Sequence, residues 1–339
     1  MGPQLAFRWP RSTGQAIYAI LTAGLVSGIV ISLPLWLTGR DFPHLPCAEF
    51  LAPFPQPWDA VFLGLTLSIL VVSAFLPENR TLAAAGFAGC VLLGLQDQSR
   101  WQPWFYQYLL MLAAAAAAKD RDRPALLALF RFIIICGYFW SGFHKLGPGF
   151  RNLVAHGIID QLTPAWPEWA LTVARGTGPW IPWLEMAVAA ALCFRRTRRI
   201  GVVCAVSTHL LILLVLGPLG KKANPVVWPW NAVIIALVIL LFWKPQTSGW
   251  KGLFERGFRV PALTCIILVA LMPGLSLTEK WDRYFSFHLY SLFGYGSTFP
   301  RHSRPKRGSS FARRLSAPLE SLDGCTQSAG TALLRMDPR

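Results

Sequence analysis

The chain consists of long apolar runs separated by short polar loops. A helix that crosses a bilayer needs about 20 mostly apolar residues, and about 17 can suffice. Because backbone polar groups in lipid must be satisfied within the segment, runs of this kind form helices. The pattern therefore predicts an all-α, polytopic bundle of about nine transmembrane helices. They fall at about 16–37, 58–76, 81–96, 103–118, 124–143, 180–194, 200–219, 226–243 and 260–277, and the third, fourth and sixth are the shortest.

The amino-acid composition is typical of a membrane protein, because it has too few charged residues to cover the surface of a soluble protein. Of 339 residues, 54% are hydrophobic and 14% are charged, whereas soluble domains carry about 25% charged residues. Residues 301–339 contribute +5 of the net charge of +16, with 8 basic and 3 acidic residues. The other basic residues lie in short clusters between the apolar runs, which is typical of a topology signal and does not indicate nucleic-acid binding. Seven cysteines form no CxxC pair, so neither a disulfide framework nor a metal site is expected.

Lysine and arginine in the loops predict the orientation. The loops on the side of the N-terminus carry 14 of them and the other loops carry 7, which favours a cytoplasmic N-terminus at 1–15. Nine spans then place the C-terminal segment outside, unless 284–299 enters the membrane or one short helix is miscounted. The helical domain is expected to cover 16–300. The Ser-, Arg- and Gly-rich tail at 301–339 is expected to be disordered.

One long loop, at about 146–179, separates two predicted helices. It contains Trp166, Trp169 and several prolines. Tryptophan is enriched at membrane–water interfaces, so we expect short pieces that lie on the membrane surface.

Polar residues near the helix ends indicate a site, because ionisable groups inside a bilayer are costly. With the N-terminus inside, these residues fall in the outer half of the membrane. A shared cavity is the simplest reason for that distribution. The candidates are Asp97, Arg100, Trp104, Tyr138, His144, Lys145, Glu185, His209, Trp228 and Asn231.

Several of these residues also have a purely structural interpretation. Lys145 could be an anchor whose charged end reaches the interface, although its spacing of seven from Tyr138 and again from Arg131 puts all three on one helix face. Glu185 could be half of a structural ion pair, and His209 a hydrogen-bonded core histidine. Asp97 and Arg100 could pair with each other at i and i+3. The arginines at 195–199 are interpreted as a topology signal only.

Four segments in order carry a resemblance to a known family. Tyr138-Phe-Trp-Ser-Gly-Phe-His-Lys-Leu146 resembles the Tyr-Phe-x-Ala-Gly-x-Lys-Lys-Leu segment of vitamin K-dependent γ-glutamyl carboxylases and their bacterial relatives, the horizontally transferred transmembrane (HTTM) domain proteins. Asp97-Gln-Ser-Arg-Trp101 is similar to their Asp-x-Thr/Ser-x-Trp. Trp183-Leu-Glu185 followed by Thr208-His209, and then Phe285-Ser-Phe287, are similar to the later motifs. The resemblance covers roughly 15–290 and implies a bacterial plasma-membrane protein.

The resemblance implies a chemistry but also a departure from it. In the carboxylases a lysine of the matched segment deprotonates a quinol cofactor, and Lys145 stands at that position beside His144. The family's Asn-Asn-His reads Gln102-Pro103-Trp104 here, so its catalytic histidine is missing. A membrane quinone is therefore an expected ligand, whereas glutamate carboxylation is not expected.

Three functions fit these residues. The preferred one is a membrane-embedded enzyme or redox-linked protein that holds a lipidic small molecule such as a quinone, with Lys145 as the base and Glu185 and His209 as its polar partners. The second is a transporter or channel that uses the same groups as a pathway. The third is a non-catalytic scaffold in the bilayer, with a protein partner that the sequence does not identify.

Overall fold

A computed structural model describes residues 12–40, 42–118, 120, 123–147, 149–150, 155, 159, 167–217, 224–244, 253–254 and 257–288. Every regular element in these ranges is helical, and the predicted all-α class is confirmed. The longer elements are α1 Thr13–Ile31, α2 Leu33–Trp36, α3 Trp58–Phe75, α4 Arg80–Leu95, α5 Pro103–Ala117, α6 Pro124–His144, α7 Glu168–Thr177, α8 Ile181–Cys193, α9 Arg198–Leu216, α10 Val227–Phe242 and α11 Arg259–Thr278.

Each of the nine predicted apolar runs has a helix at its position. Among the described residues, five helices (α1, α3, α6, α9 and α11) are long and apolar enough to cross a membrane. Helices α4 and α10 are apolar but shorter, and α5 and α8 have 15 and 13 residues. The chain is therefore a multi-pass helical membrane protein, with a count of spans compatible with nine.

The surface of the bundle is apolar over long stretches. Along α9, the side chains of Leu210, Leu211 and Leu214 are each more than half exposed, and on α11 Val260 and Leu271 are more exposed still. Apolar surface of this extent is rare on soluble monomers. Lipid is the solvent that matches it.

Helix α6 lies at the centre of the bundle and packs most extensively against α8. Helix α1 contacts α3, α5 and α10, and α9 lies between α8 and α10. Small residues permit close approach: a Cβ added at Gly28 of α1 would lie 2.6 Å from the ring of Trp104 on α5. Close packing of this kind replaces the hydrophobic effect as the force that associates helices in lipid.

The end of the first helix and the interior of the last one differ from the predicted regular helices. The first run was expected to continue to 37, but α1 ends at Ile31, where the hydroxyl of Ser32 donates to the Gly28 carbonyl. Pro34 then allows only the short helix α2, which buries Trp36. Within α11, the turn at Ile267–Leu271 is a π-helix. Such turns are rare and insert an extra residue into the helical repeat.

The predicted surface loop contains α7, none of whose residues is buried. Trp169 and Val173 share one face of this short helix and are both exposed, as expected of an interfacial piece. Trp166 lies outside the described residues.

After α11 the chain folds back onto the bundle. Tyr284–Ser286 forms a 3-10 turn, and the ring of Phe285 packs against Trp101 and Tyr106 at centroid distances of 5.3 and 4.8 Å. The described part of the 284–299 segment thus forms no spanning helix. The remainder of that segment, the tail at 301–339 and residues 1–11 lie outside the described residues.

Candidate functional site

Lys145 and Glu185 form a buried ion pair between α6 and α8. The Nζ atom of Lys145 donates to Oε1 and Oε2 of Glu185 at 2.6 and 2.8 Å, and to the hydroxyl of Ser141 at 2.9 Å. Lys145 is 7% exposed and Glu185 9%. Three short hydrogen bonds therefore saturate the ammonium group, and the pair carries no net charge.

A glycine brings the two helices close enough for this pair. A Cβ added at Gly142 would lie 2.6 Å from the carbonyl oxygen of Pro182 and 3.0 Å from the Cβ of Glu185. Lys145 directly follows α6, and Glu185 lies in the second turn of α8. Since these two helix ends meet, residues forty positions apart in sequence become direct neighbours.

His209 is held by a second set of hydrogen bonds. Its Nδ1 lies 2.6 Å from Oδ1 of Asn231, and its Nε2 lies 2.7 Å from the hydroxyl of Tyr138. The amide nitrogen of Asn231 donates to the Val227 carbonyl at 2.7 Å, so the amide oxygen faces the histidine and can only accept. The proton of a neutral His209 therefore sits on Nδ1, and Nε2 accepts from Tyr138.

Both polar sets line one cavity of about 720 Å³, a volume that includes space open to the surroundings. Aliphatic side chains of α6, α9 and α10 form much of its wall. On another side, the indole of Trp230 donates to the amide oxygen of Gln107 at 3.2 Å. The lining residues are Gln107, Ile134, Gly137, Tyr138, Ser141, Lys145, Glu185, Thr208, His209, Ile212, Val227, Trp230, Asn231, Ile234 and Phe287.

Five of the ten candidates from the sequence thus meet in this cavity: Tyr138, Lys145, Glu185, His209 and Asn231. Their catalytic or binding roles stay predictions. The other five lie elsewhere.

Asp97 belongs to a separate buried cluster. It pairs with Arg40, and its carboxylate accepts from the backbone N–H and the hydroxyl of Ser99 at 3.0 and 2.7 Å. A ring nitrogen of His44 lies 3.3 Å away. Asp97 therefore ties the loop before α3 to the end of α4, and its cationic partner is Arg40 rather than Arg100.

Arg100 is buried among backbone carbonyl groups. Its guanidinium donates to the carbonyl oxygens of Leu35, Trp36 and Leu93 at 2.8 to 3.1 Å. Burial lowers the pKa of Arg100 to about 10, so the group stays charged at neutral pH. Arg100 satisfies the carbonyl groups at the ends of α2 and α4, which is a structural role.

Trp104, His144 and Trp228 also lie outside the cavity. Trp104 packs on α1 at Gly28, and the indole of Trp228 donates to the Leu216 carbonyl at the end of α9. His144 is fully buried, and its ring stacks on that of His288 with 3.6 Å between centroids.

Five lining residues with polar or aromatic side chains were absent from the predicted set: Gln107, Ser141, Thr208, Trp230 and Phe287. Sequence signals existed for some of them. Ser141 lies one turn before Lys145, and Gln107 is a lone amide within an apolar run. Such an amide needs a partner in lipid, and Trp230 supplies it.

No protein-family model, curated protein or solved structure matches this sequence. The resemblance to the γ-glutamyl carboxylases and HTTM proteins therefore stays a prediction that rests on the four motifs. Within the described part of the chain, no group of three or more His, Cys, Asp and Glu side chains could hold a metal ion.

Proposed function

We propose that this protein is a membrane-embedded enzyme or redox-linked protein that binds a lipid-soluble molecule of the quinone class in the cavity and exchanges protons with its head group. The carrying observation is the Lys145–Glu185 pair, which lies buried in the wall of a largely apolar cavity. Burying two charges costs several kcal/mol per ion before their attraction offsets it. Because both charged side chains line the cavity, their position supports a role in binding a ligand or reacting with it.

The charges of the wall favour a neutral ligand. Lys145 and Glu185 neutralise each other, and His209 sits between Tyr138 and Asn231 as a neutral ring. An anionic head group would meet no uncompensated cation among these five residues. A quinone or quinol offers carbonyl or hydroxyl groups to them, while its hydrocarbon part suits the aliphatic wall.

A proton step follows from the pair's geometry. The Nζ atom of Lys145 touches both carboxylate oxygens, so transfer of one ammonium proton to Glu185 gives a neutral amine beside a neutral acid. That amine can accept the proton of a quinol hydroxyl, which leaves a negative charge on the quinol oxygen and restores the ammonium. Lys145 is then the base, and Glu185 stores the proton.

Mass spectrometry of small molecules that co-purify with the detergent-solubilised protein tests this proposal. We expect a quinone in the wild-type preparation. Ile212→Trp, which fills the cavity, should abolish its retention. Leu211→Trp is the matched control, because Leu211 is the adjacent residue and is exposed toward lipid.

Ordinary phospholipid alone in the wild-type extract would contradict the proposal. Equal quinone retention by Ile212→Trp and Leu211→Trp would also contradict it, since the quinone would then bind outside the cavity. If a quinone is bound, loss of its turnover in Lys145→Met/Glu185→Met, which leaves no unpaired charge, would support a role of the pair in proton exchange. Full turnover in that variant or in Lys145→Ala would refute the assignment of Lys145 as the base.

A further inference from the structure

The arginines at 195–199 contribute to a cavity at the opposite ends of the helices. This cationic cavity has a volume of about 750 Å³, which includes space open to the surroundings, and is lined by Arg195, Arg196, Arg198, Arg199, Phe242, Trp243 and Lys244. Five cations from two separate turns thus converge on one space, and no lining residue is acidic. A topology signal requires only positive charge in a loop. Convergence with Lys244, far along the chain, requires a further explanation.

The local backbone also favours an anion. Arg198 begins α9, and its Nε donates to the Leu192 carbonyl at 3.3 Å, which holds the guanidinium in place. The hydroxyl of Thr197 donates to the Ala191 carbonyl and does not cap the first turn of α9. The positive end of the helix dipole therefore adds to the arginine charges.

An apolar groove leads away from the cationic cavity. It is lined by Val202, Val203, Val206, Ser207, Ile239 and Trp243, and has a volume of about 570 Å³, which includes space open to the surroundings. The two spaces share Trp243. The groove lies between α9 and α10 and follows the second and third turns of α9 and the end of α10. Its shape suits a hydrocarbon chain that begins near the cationic cavity.

We infer that the cationic cavity and the apolar groove form a binding site for an anionic phospholipid. The phosphate lies among the arginines and Lys244, and one acyl chain lies along Val203 and Val206. The predicted orientation puts this end of the bundle in the cytoplasmic leaflet, where anionic lipids give the surface a negative potential. Free phosphate has the same charged group as the lipid head group, but it has no acyl chain that could occupy the groove.

Native mass spectrometry of the purified protein, titrated with phosphatidylglycerol or phosphatidylcholine of identical chains, tests the inference. We expect tighter binding of phosphatidylglycerol. Each juxtamembrane cation contributes about fivefold in affinity, so Arg196→Gln with Arg199→Gln should weaken phosphatidylglycerol binding by about 25-fold. The matched control is Lys280→Gln with Arg283→Gln, which removes two exposed cations beyond the far end of α11 and should leave binding unchanged.

A groove variant distinguishes lipid from free phosphate. Val203→Trp replaces a half-exposed side chain, so it should fold, obstruct the groove and weaken phosphatidylglycerol binding without changing the binding of inorganic phosphate. Unchanged phosphatidylglycerol binding in Val203→Trp would overturn the lipid assignment. Equal affinity for the two lipids, or equal loss in the Lys280/Arg283 control, would overturn the site itself.

Discussion

Lys145 and Glu185 lie at buried positions where either charge without the other would destabilise the protein. Each is almost fully buried in the bundle, and each satisfies the other. A buried pair of this kind contributes little net stability compared with apolar residues of similar volume, but breaking it is costly because one charge stays behind.

Lys145→Met is therefore expected to destabilise the protein by about 3–5 kcal/mol. The double variant Lys145→Met/Glu185→Met removes both charges and should recover most of that loss. The free energy of unfolding in mixed micelles, measured by titration with a denaturing detergent, gives both values. A double variant as unstable as the single one would show that the unpaired carboxylate of Glu185 does not cause the instability of Lys145→Met.

His209 offers a second prediction, on its tautomer. Because Asn231 presents its oxygen to Nδ1, the proton of the neutral ring should sit on Nδ1. Nitrogen NMR of ¹⁵N-histidine-labelled protein, assigned with His209→Gln, checks this directly. Tyr138→Phe should cost about 1 kcal/mol in unfolding free energy by removing the bond to Nε2. Protonation at Nε2 in the wild type would contradict the assignment.

The sequence could indicate which polar residues meet, within limits. Counting spans puts Tyr138, Lys145, Glu185, His209 and Asn231 in the same half of the membrane, and the five meet in one cavity. The same count also groups Asp97, Arg100, Trp104, His144 and Trp228 with them, although these lie outside the cavity. The partner of Asp97 could not be found in this way. Arg40 lies in a loop with no periodic pattern, and only the folded structure brings it to the end of α4.

At the scale of the helices, each of the nine apolar runs has a helix at its position, but run length did not give all of the helix ends. The first run is apolar through 37, yet α1 stops at Ile31. Hydropathy does not predict that the hydroxyl of Ser32 donates to the Gly28 carbonyl at the end of α1. Nor does it predict that a new short helix begins near Pro34. The sequence did not predict the contact of α6 with α8 either. That contact depends on Gly142, whose missing side chain matters only because α8 packs directly against it.

Gly142 is expected to be intolerant of substitution for this reason. Gly142→Ala would place its Cβ 2.6 Å from the Pro182 carbonyl oxygen and 3.0 Å from the Cβ of Glu185, and overpacking of this kind costs about 1–3 kcal/mol. Gly137→Ala, in the same helix, is the matched control, because the nearest atom to its Cβ would be 3.8 Å away on Phe287. Thermal unfolding in detergent should separate the two variants. Equal unfolding temperatures would mean that α6 and α8 can move apart freely.

At the scale of the whole molecule, the apolar surface and the basic loops make one consistent arrangement. Leucines along α9 face outward, and the cations at 195–199 and Lys244 gather at one end of α9 and α10. The Lys145–Glu185 pair lies at the C-terminal end of α6 and near the N-terminal end of α8, whereas the arginines follow the C-terminal end of α8. The bundle thus has a cationic end and an end that carries the cavity.

The orientation of this bundle can be tested by labelling single cysteines. With the N-terminus inside, Thr197→Cys between α8 and α9 should react only with a membrane-permeant maleimide in intact cells. Thr177→Cys, at the end of α7, should also react with an impermeant one. Both positions are exposed, so accessibility within the protein does not limit either reaction. The background should carry serine in place of Cys47, which is exposed in the loop before α3, and of the half-buried Cys193 and Cys204. Cys325 should be replaced as well, so that the introduced cysteine is the one that reacts. The reverse labelling pattern would invert the bundle and move the cationic cavity to the outer leaflet, where the case for anionic phospholipid loses its electrostatic support.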